Sequence, residues 1–420
     1  MSLSVSHLLL VAKKLEIGEL KALQSRVRLV GVLGHMIHVL QAERGASSIY
    51  LASAGKRFEA TRQQMIAESG TIERLLREMI DEAMHDSVLF DARVVSLMAW
   101  VLLGLDALPE LRNRVGNRHL AGQESVSAFS RLIAGLIALI FELADSAVAP
   151  EVSRALVSLF NLIEGKELAG QERAVGALMF GSGVCDAALR ERVLHLIESQ
   201  ENNIRVFLEF GSDAARAKWR AIDATPFVAR LGGLRAAIRD CAPGGVLDAN
   251  LADAWFEVCS ERITYLWTIQ RELVNALQQH CAAMIEDAER ALSDSRGLLK
   301  SLRENTPERA AAIDRFFDPA VPIDQSLSFG AGGADQPGQP HSLIEVLQAQ
   351  SRHLAEVEEE LASAKRALAE RKVIDRAKGV LMSREGIAED EAYKLMRKLS
   401  MDRNIRLVDV AEAVLSNGPV

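Results

Sequence analysis

The chain has 420 residues, 49% of them hydrophobic and 25% charged, and a formal net charge of −8. Such length and apolar content exclude a disordered chain and give room for about two or three domains; the modest negative charge excludes a protein that coats nucleic acid through its overall charge. Aromatic residues make up only 5%, and with alanine, leucine, arginine and glutamate abundant, an all-α fold is expected.

From about residue 20 to residue 300, apolar positions recur every three or four residues, as in Leu75, Leu76, Met79, Ile80, Ala83 and Met84. That is the periodicity of amphipathic helices. The longest apolar runs, "LMAWVLLGL" (97–105) and "LIAGLIALIF" (132–141), are roughly half of the ~20 residues a membrane span needs, so a cytoplasmic protein without a membrane segment is expected. His35 and His38 fall on one helical face with no third ligand nearby, which favours helix packing over a metal site. Cys185, Cys241, Cys259 and Cys281 lack metal-type spacing and are expected as buried small apolar residues. From Leu251 onward there is no proline and no glycine until Gly297, which predicts one helix of more than forty residues.

The stretch "HVLQAERGASSIYLASAG" (38–55) places Arg44 among small and apolar residues on a helix face that otherwise reads as buried. A buried guanidinium needs a partner. Adjacent helical residues do not face each other, so Glu43 cannot neutralise Arg44, and the partner must come from another helix or from a ligand. The pattern returns in "AGQERAVGALMFGSG" (169–183), with Arg173, and in "VCSERITYLW" (258–267), with Arg262. The other Glu-Arg pairs, ending at Arg74, Arg192, Arg290, Arg309 and Arg371, lack such neighbours and read as solvent faces. Arg44, Arg173 and Arg262, drawn from three helices, could converge on a small planar oxyanion such as nitrate, nitrite, carbonate or a carboxylate, which the flat guanidinium fork suits. Alternatively, they could tie the bundle together by pairing with Glu43, Glu167 or Glu172.

Residues 318–342, "DPAVPIDQSLSFGAGGADQPGQPHS", hold four prolines and four glycines and read as a flexible linker. Beyond it, Leu347, Leu354, Leu361 and Leu368 fall seven apart, beside Leu343, Gln350, Val357 and Ala364, which predicts a short coiled coil and hence a homodimer or a helix packed on its neighbours. From Val373 the spacing predicts three short helices with apolar positions Val373, Ile374, Ala377, Val380 and Leu381; Ala392, Leu395, Met396 and Leu399; and Leu407, Val410, Ala411 and Val414, broken at Gly386 and at "DRN". Between Leu361 and Val408, twelve lysines and arginines stand against seven carboxylates. The charge alone fits solvated helix faces, a DNA-binding helix-turn-helix or an RNA contact surface.

The block "ERKVIDRAKGVLMSREGIAEDEAYKLMRKLSMDRNIRLVDVAEAVL", with "AKGVLM", "GIAEDEAY", "LMRKLSM" and "VDVAEAVL", resembles the ANTAR family of RNA-binding antitermination domains and departs from its usual alanine at Ser400. The resemblance implies binding to stem-loops in leader mRNA, with dimerisation through the preceding coiled coil, no catalysis and no DNA partner. Lys378, Arg384, Lys394, Arg397 and Arg406 are the cations expected to meet RNA; Gly379 would admit a close backbone, and Tyr393 would stack on a base or cap the local core.

Residues from about 30 to 290, with "QAERGASSIYL", "GKELAGQERAVGALMF" and "WFEVCSERITYL", resemble the NIT family of nitrate- and nitrite-sensing domains. That resemblance implies paired four-helix bundles with Arg44 and Arg173, and less directly Arg262, holding the anion. The expected organisation is therefore a sensor (1–317), a linker (318–342) and an RNA-binding domain (343–420). A ligand-responsive antitermination regulator of a nitrate assimilation operon is expected, with nitrate or nitrite as effector and no metal or cofactor. The alternative is a ligand-independent RNA-binding antiterminator whose large domain is only a scaffold. No nucleophile with its base, metal set or phosphate loop points to an enzyme, "GVLGHM" and "GAGGAD" being isolated.

Overall fold

The computed structural model describes residues 5–85, 90–145, 149–304, 366, 369–387, 389–403 and 405–416. Among these the regular elements are all α-helices, and the single extended contact is an isolated antiparallel bridge between Val184 and Val246. The helices are α1 (Val5–Ala52), α2 (Glu59–His85), α3 (Ala92–Gly116), α4 (Gly122–Asp145), α5 (Pro150–Ser182), α6 (Ala187–Phe210), α7 (Asp213–Asp223), α8 (Pro226–Asp240) and α9 (Leu251–Glu304). A C-terminal group follows: α10 (369–385), α11 (Glu389–Arg403) and α12 (Leu407–Ser416). Their starts follow from local chemistry. Asp91, Asp186 and Ser212 accept a backbone N–H at the first turns of α3, α6 and α7, while α5 and α8 begin with a proline whose missing N–H is no loss there. Gly183 ends α5 at φ 68° and Gly386 ends α10 at φ 66°, a left-handed conformation that a Cβ disfavours.

Two cores form along α1–α9. In the first, Leu33 and Met36 of α1, Leu76 of α2, Val101 of α3 and Leu136 of α4 meet Leu159 of α5 and Leu277 of α9. In the second, Met179 and Phe180 of α5 meet Val193 of α6, Leu231 of α8 and Trp255 of α9. A third cluster, with Leu162, Phe207, Ile263 and Leu266, joins the two. Helices α5 and α9 run antiparallel through both cores, so α5 is a wall common to the two bundles. The 54-residue α9 is the single long helix its uninterrupted sequence predicts.

Some details differ from the sequence expectation. Cys185, Cys259 and Cys281 are buried, but Cys241 caps the end of α8 and is half-buried. As continuous helices, α3 and α4 are long and apolar enough to cross a membrane by length and composition, although the short apolar runs predict no such segment. They pack against each other, and α4 also against α1 and α5, as bundle helices do. In the C-terminal group Ala377, Leu381, Ala392, Met396, Val410, Ala411 and Val414 form a small core. Val380 and Leu395, assigned to its apolar faces, are exposed because three short helices can cover only a narrow stripe of one another. The linker and the heptad rows from Leu343 to Leu368 lie outside the described residues.

Candidate functional site

Where α1 crosses α5, Arg44 reaches Glu167: Nη1 donates to Oε1 at 2.5 Å and Nη2 to Oε2 at 3.0 Å, with a further bond from Nη1 to Ser130 on α4 at 2.7 Å. The Gln41 and Gln171 amides also donate to Glu167, at 2.8 and 3.0 Å. Glu43 points the other way, to Arg112 of α3, which donates twice to it at 2.9 Å. The adjacent Glu and Arg thus find partners on different helices, as helical geometry requires.

Arg173 lies beside Arg44 and is differently placed. Its Nη1 donates to Ser260 at 2.9 Å and its guanidinium covers the Phe256 ring, yet among the described residues it has no carboxylate partner. Burial, reinforced by the neighbouring Arg44, lowers its pKa to about 10; it stays charged at neutral pH. Two glycines allow the arrangement. A Cβ on Gly170 would sit 2.9 Å from Arg44 Nη2, and one on Gly45 would sit 2.8 Å from Arg173 Nη2. Each guanidinium therefore lies over the bare backbone of the opposite helix. Arg44 alone bonds the one carboxylate beside the pair, Glu167, so Arg173 adds a positive charge that a monoanion would balance.

Arg262 does not join them. It donates to Gln200 at 2.6 Å and lies 3.5 Å from Glu172, which Arg235 of α8 holds by two bonds at 2.7 and 2.6 Å. Glu167 and Glu172 are five residues apart on α5, about 140° around a helix, so they face different neighbours and build two separate clusters. Burial and Arg235 lower the Arg262 pKa to about 10. Arg235 escaped the sequence reading because it follows no glutamate; its signal was an arginine among small and apolar residues in "LGGLRAAI". Lys166 was missed as well. It is fully buried, bonded to Gln270 at 2.6 Å and set over the Trp267 ring, and burial lowers its pKa to about 7. His38 stacks on the same ring at 4.2 Å and His35 tilts against it, which gives both histidines a packing role.

The C-terminal helices lie against the first nine through several residues expected to meet RNA. Lys394 pairs with Glu191 at 2.5 Å, Arg397 pairs with Glu198, and the Tyr393 ring lies 5.5 Å from that of His195. Glu191, His195 and Glu198 recur at helical spacing and present one face of α6. Arg371, read as a solvent-facing Glu-Arg, instead pairs with Glu164 of α5 and donates to Asn203 of α6 at 3.2 Å; its short local context could not show that α5 would face it. Lys372 reaches Glu142 at 3.4 Å. A cleft of about 760 Å³ runs between the two parts, and Lys378, Gly379 and Glu167, the partner of Arg44, all line it. Lys378 pairs with Asp375 at 2.7 Å, Arg384 with Glu385 at 3.3 Å, and Arg406 with Glu370 at 3.1 Å and Asp409 at 3.3 Å.

Comparison with known proteins identifies the family. The nitrate and nitrite sensing (NIT) pattern matches residues 35–278, and the ANTAR domain pattern matches residues 362–415. The nitrate regulatory protein of Klebsiella oxytoca is 28% identical over 408 residues, spanning 96% of this chain and 93% of that protein. The transcriptional regulatory protein PdtaR of Mycobacterium tuberculosis is 36% identical over 72 residues, spanning 17% of this chain and 35% of that protein. The solved structure of the NasR transcription antiterminator superposes with a TM-score of 0.60 at 27% identity, covering 96% of each chain. The chain therefore belongs to the nitrate- and nitrite-sensing NIT family and carries an ANTAR domain near its C-terminal end.

Proposed function

We propose how this nitrate-sensing antitermination regulator divides its work: nitrate or nitrite seats between Arg44 and Arg173, and its arrival frees the ANTAR helices to bind leader mRNA. The anion competes with Glu167 for Arg44 and meets the donors that Arg173 has left. Glu167 lines the cleft against α10, and α6 packs on α5, so a changed bond at Glu167 reaches both surfaces that hold the C-terminal helices. The released module binds stem-loops in the leader of a nitrate assimilation operon, as a homodimer in the cytoplasm, and so keeps a terminator hairpin from forming. Nucleic-acid chemistry at this step is binding alone.

One observation carries the reading: Tyr393, Lys394 and Arg397, expected to meet RNA, are engaged by His195, Glu191 and Glu198 of α6. Exposed ion pairs contribute about 0.2–1 kcal/mol each, so the latch holds by number, and a small anion can overcome it. Moving a two-state equilibrium from 1:99 to 99:1 requires about 5.5 kcal/mol of differential binding, which several charge-assisted hydrogen bonds can supply.

Two experiments test it. Calorimetric titration with nitrate, with chloride and sulfate as controls, should show saturable binding that Arg173→Met abolishes while the variant stays folded; nitrate binding retained at full strength would refute the site. Separately, Glu191→Lys combined with Glu198→Lys should tighten stem-loop RNA binding in the absence of nitrate by about tenfold, the size of one to two lost surface pairs turned repulsive. RNA affinity that stays low until nitrate is added, as in the parent protein, would refute the latch.

A further inference from the structure

The second charged cluster has a cavity of its own. Arg235 and Arg262 lie at the edge of a space of about 420 Å³ bordered by α6, α7, α8 and α9. Between its charged residues the walls are apolar: Trp219 lines it, and Phe227 and Tyr265 stack with centroids 5.0 Å apart and planes within 7°. Volumes of this size are typical of small-molecule sites, which combine apolar walls with a few convergent polar groups.

Charge narrows the occupant. Arg235 spends its fork on Glu172, whereas Arg262 makes one bond, to Gln200, and stands 3.5 Å from Glu172. Five N–H donors on a guanidinium leave Arg262 with unused capacity, and around the cavity Arg205, Arg235 and Arg262 stand against Glu172, Glu201 and Asp223, so an occupant is held by directed bonds and not by a large surplus of charge. At the rim, the exposed Glu201 and Asp223 outnumber the exposed Arg205 and so disfavour polyanions. A monoanion is therefore favoured over a phosphate ester. An inorganic monoanion would leave the aromatic walls without a partner.

Helix α8 adds an independent sign. Gly232 and Gly233 occupy its interior, where glycine is less stable than alanine, and a Cβ on either would meet nothing within 4 Å. Close helix packing therefore does not account for them. Gly232 borders the cavity, and the space beside it is open.

We propose that this cavity is a second effector site, which takes a small monocarboxylic acid with an aromatic or aliphatic body, its carboxylate on Arg262 and its body against Trp219, Phe227 and Tyr265. Such a site would let the regulator read an organic metabolite alongside the inorganic anion.

The test uses the full chain and the probes phenylacetate, indole-3-acetate and hexanoate, titrated by calorimetry and by tryptophan emission. Acetate supplies the charge without the body, and phenylacetamide the body without the charge. At least one of the three carboxylates should bind saturably, one per chain, and at least tenfold more tightly than either control. Arg262→Met should weaken it at least tenfold, while Arg173→Met, at a residue that does not line the cavity, should leave it unchanged. Glu172 keeps both bonds to Arg235 in the Arg262→Met protein, and thermal unfolding checks that it is folded. The proposal is overturned if none of the three carboxylates binds, if acetate or phenylacetamide binds equally well, or if folded Arg262→Met binds like the parent. Loss of nitrate binding in Arg173→Met with carboxylate binding intact would separate this site from the nitrate site.

Discussion

Lys166→Met is expected to stabilise the protein by about 2–4 kcal/mol at pH 7 and below, and to remove a rise in stability that the parent shows between about pH 7 and pH 10. Lys166 is fully buried; its hydrogen bond is to the neutral Gln270 amide, and burial lowers its pKa to about 7 from the usual lysine value of about 10.4. One pKa unit corresponds to about 1.4 kcal/mol, so protonating this amine in the folded state costs on the order of 5 kcal/mol relative to the unfolded chain. Removing it leaves Gln270 Oε1 without its donor, which costs about 1–3 kcal/mol, and the difference is the expected gain. The direction with pH follows from proton counts. Between about pH 7 and 10.5 the unfolded chain holds the proton and the folded chain does not, so stability climbs with pH; below 7 both hold it and the full penalty applies. The groups around it do not reverse this: His38 is held neutral, its pKa lowered to about 2 by burial and nearby cations, and Glu167 acts in the opposite sense but more weakly than burial. Urea unfolding of the parent and of Lys166→Met across pH 6–10 reads the effect; parallel curves of equal midpoint for both proteins would contradict it.

Arg44→Met should cost about 3–5 kcal/mol of stability and abolish nitrate binding together, because it leaves the buried Glu167 carboxylate with only the Gln41 and Gln171 amides. The two effects are separable. Arg44→Met combined with Glu167→Gln removes both charges, and most of the lost stability should return while nitrate binding does not. A double variant that regains nitrate binding with its stability would make Arg44 a purely structural tie. Denaturant unfolding and nitrate calorimetry on the same two proteins give both readouts.

The readings that proved legible are those carried by local pattern. Three- and four-residue periodicity fixed helices; an uninterrupted run gave α9; Gly386 marked the end of α10; and the adjacency of Glu43 and Arg44 ruled out their pairing before any partner was known. Arg44 and Arg173 were visible as cations where solvent was absent. Arg235 and Lys166 were equally visible in principle, but a search tied to the Glu-Arg dipeptide passed over them, and Arg371 was assigned to solvent because its immediate neighbours are polar.

By itself the sequence determined the all-α class and most, though not all, of the apolar helix faces, since periodicity and composition are properties of a segment alone; Val380 and Leu395 are exposed. The tertiary structure alone decided who faces whom. Glu167 rather than Glu43 answers Arg44, Arg262 joins Arg235 instead of Arg173, and the acidic face of α6 meets Lys394 and Arg397. The physical reason is that a buried charge specifies only that some partner must exist. Which residue supplies it depends on the angle at which each side chain leaves its helix and on which helices the bundle sets side by side.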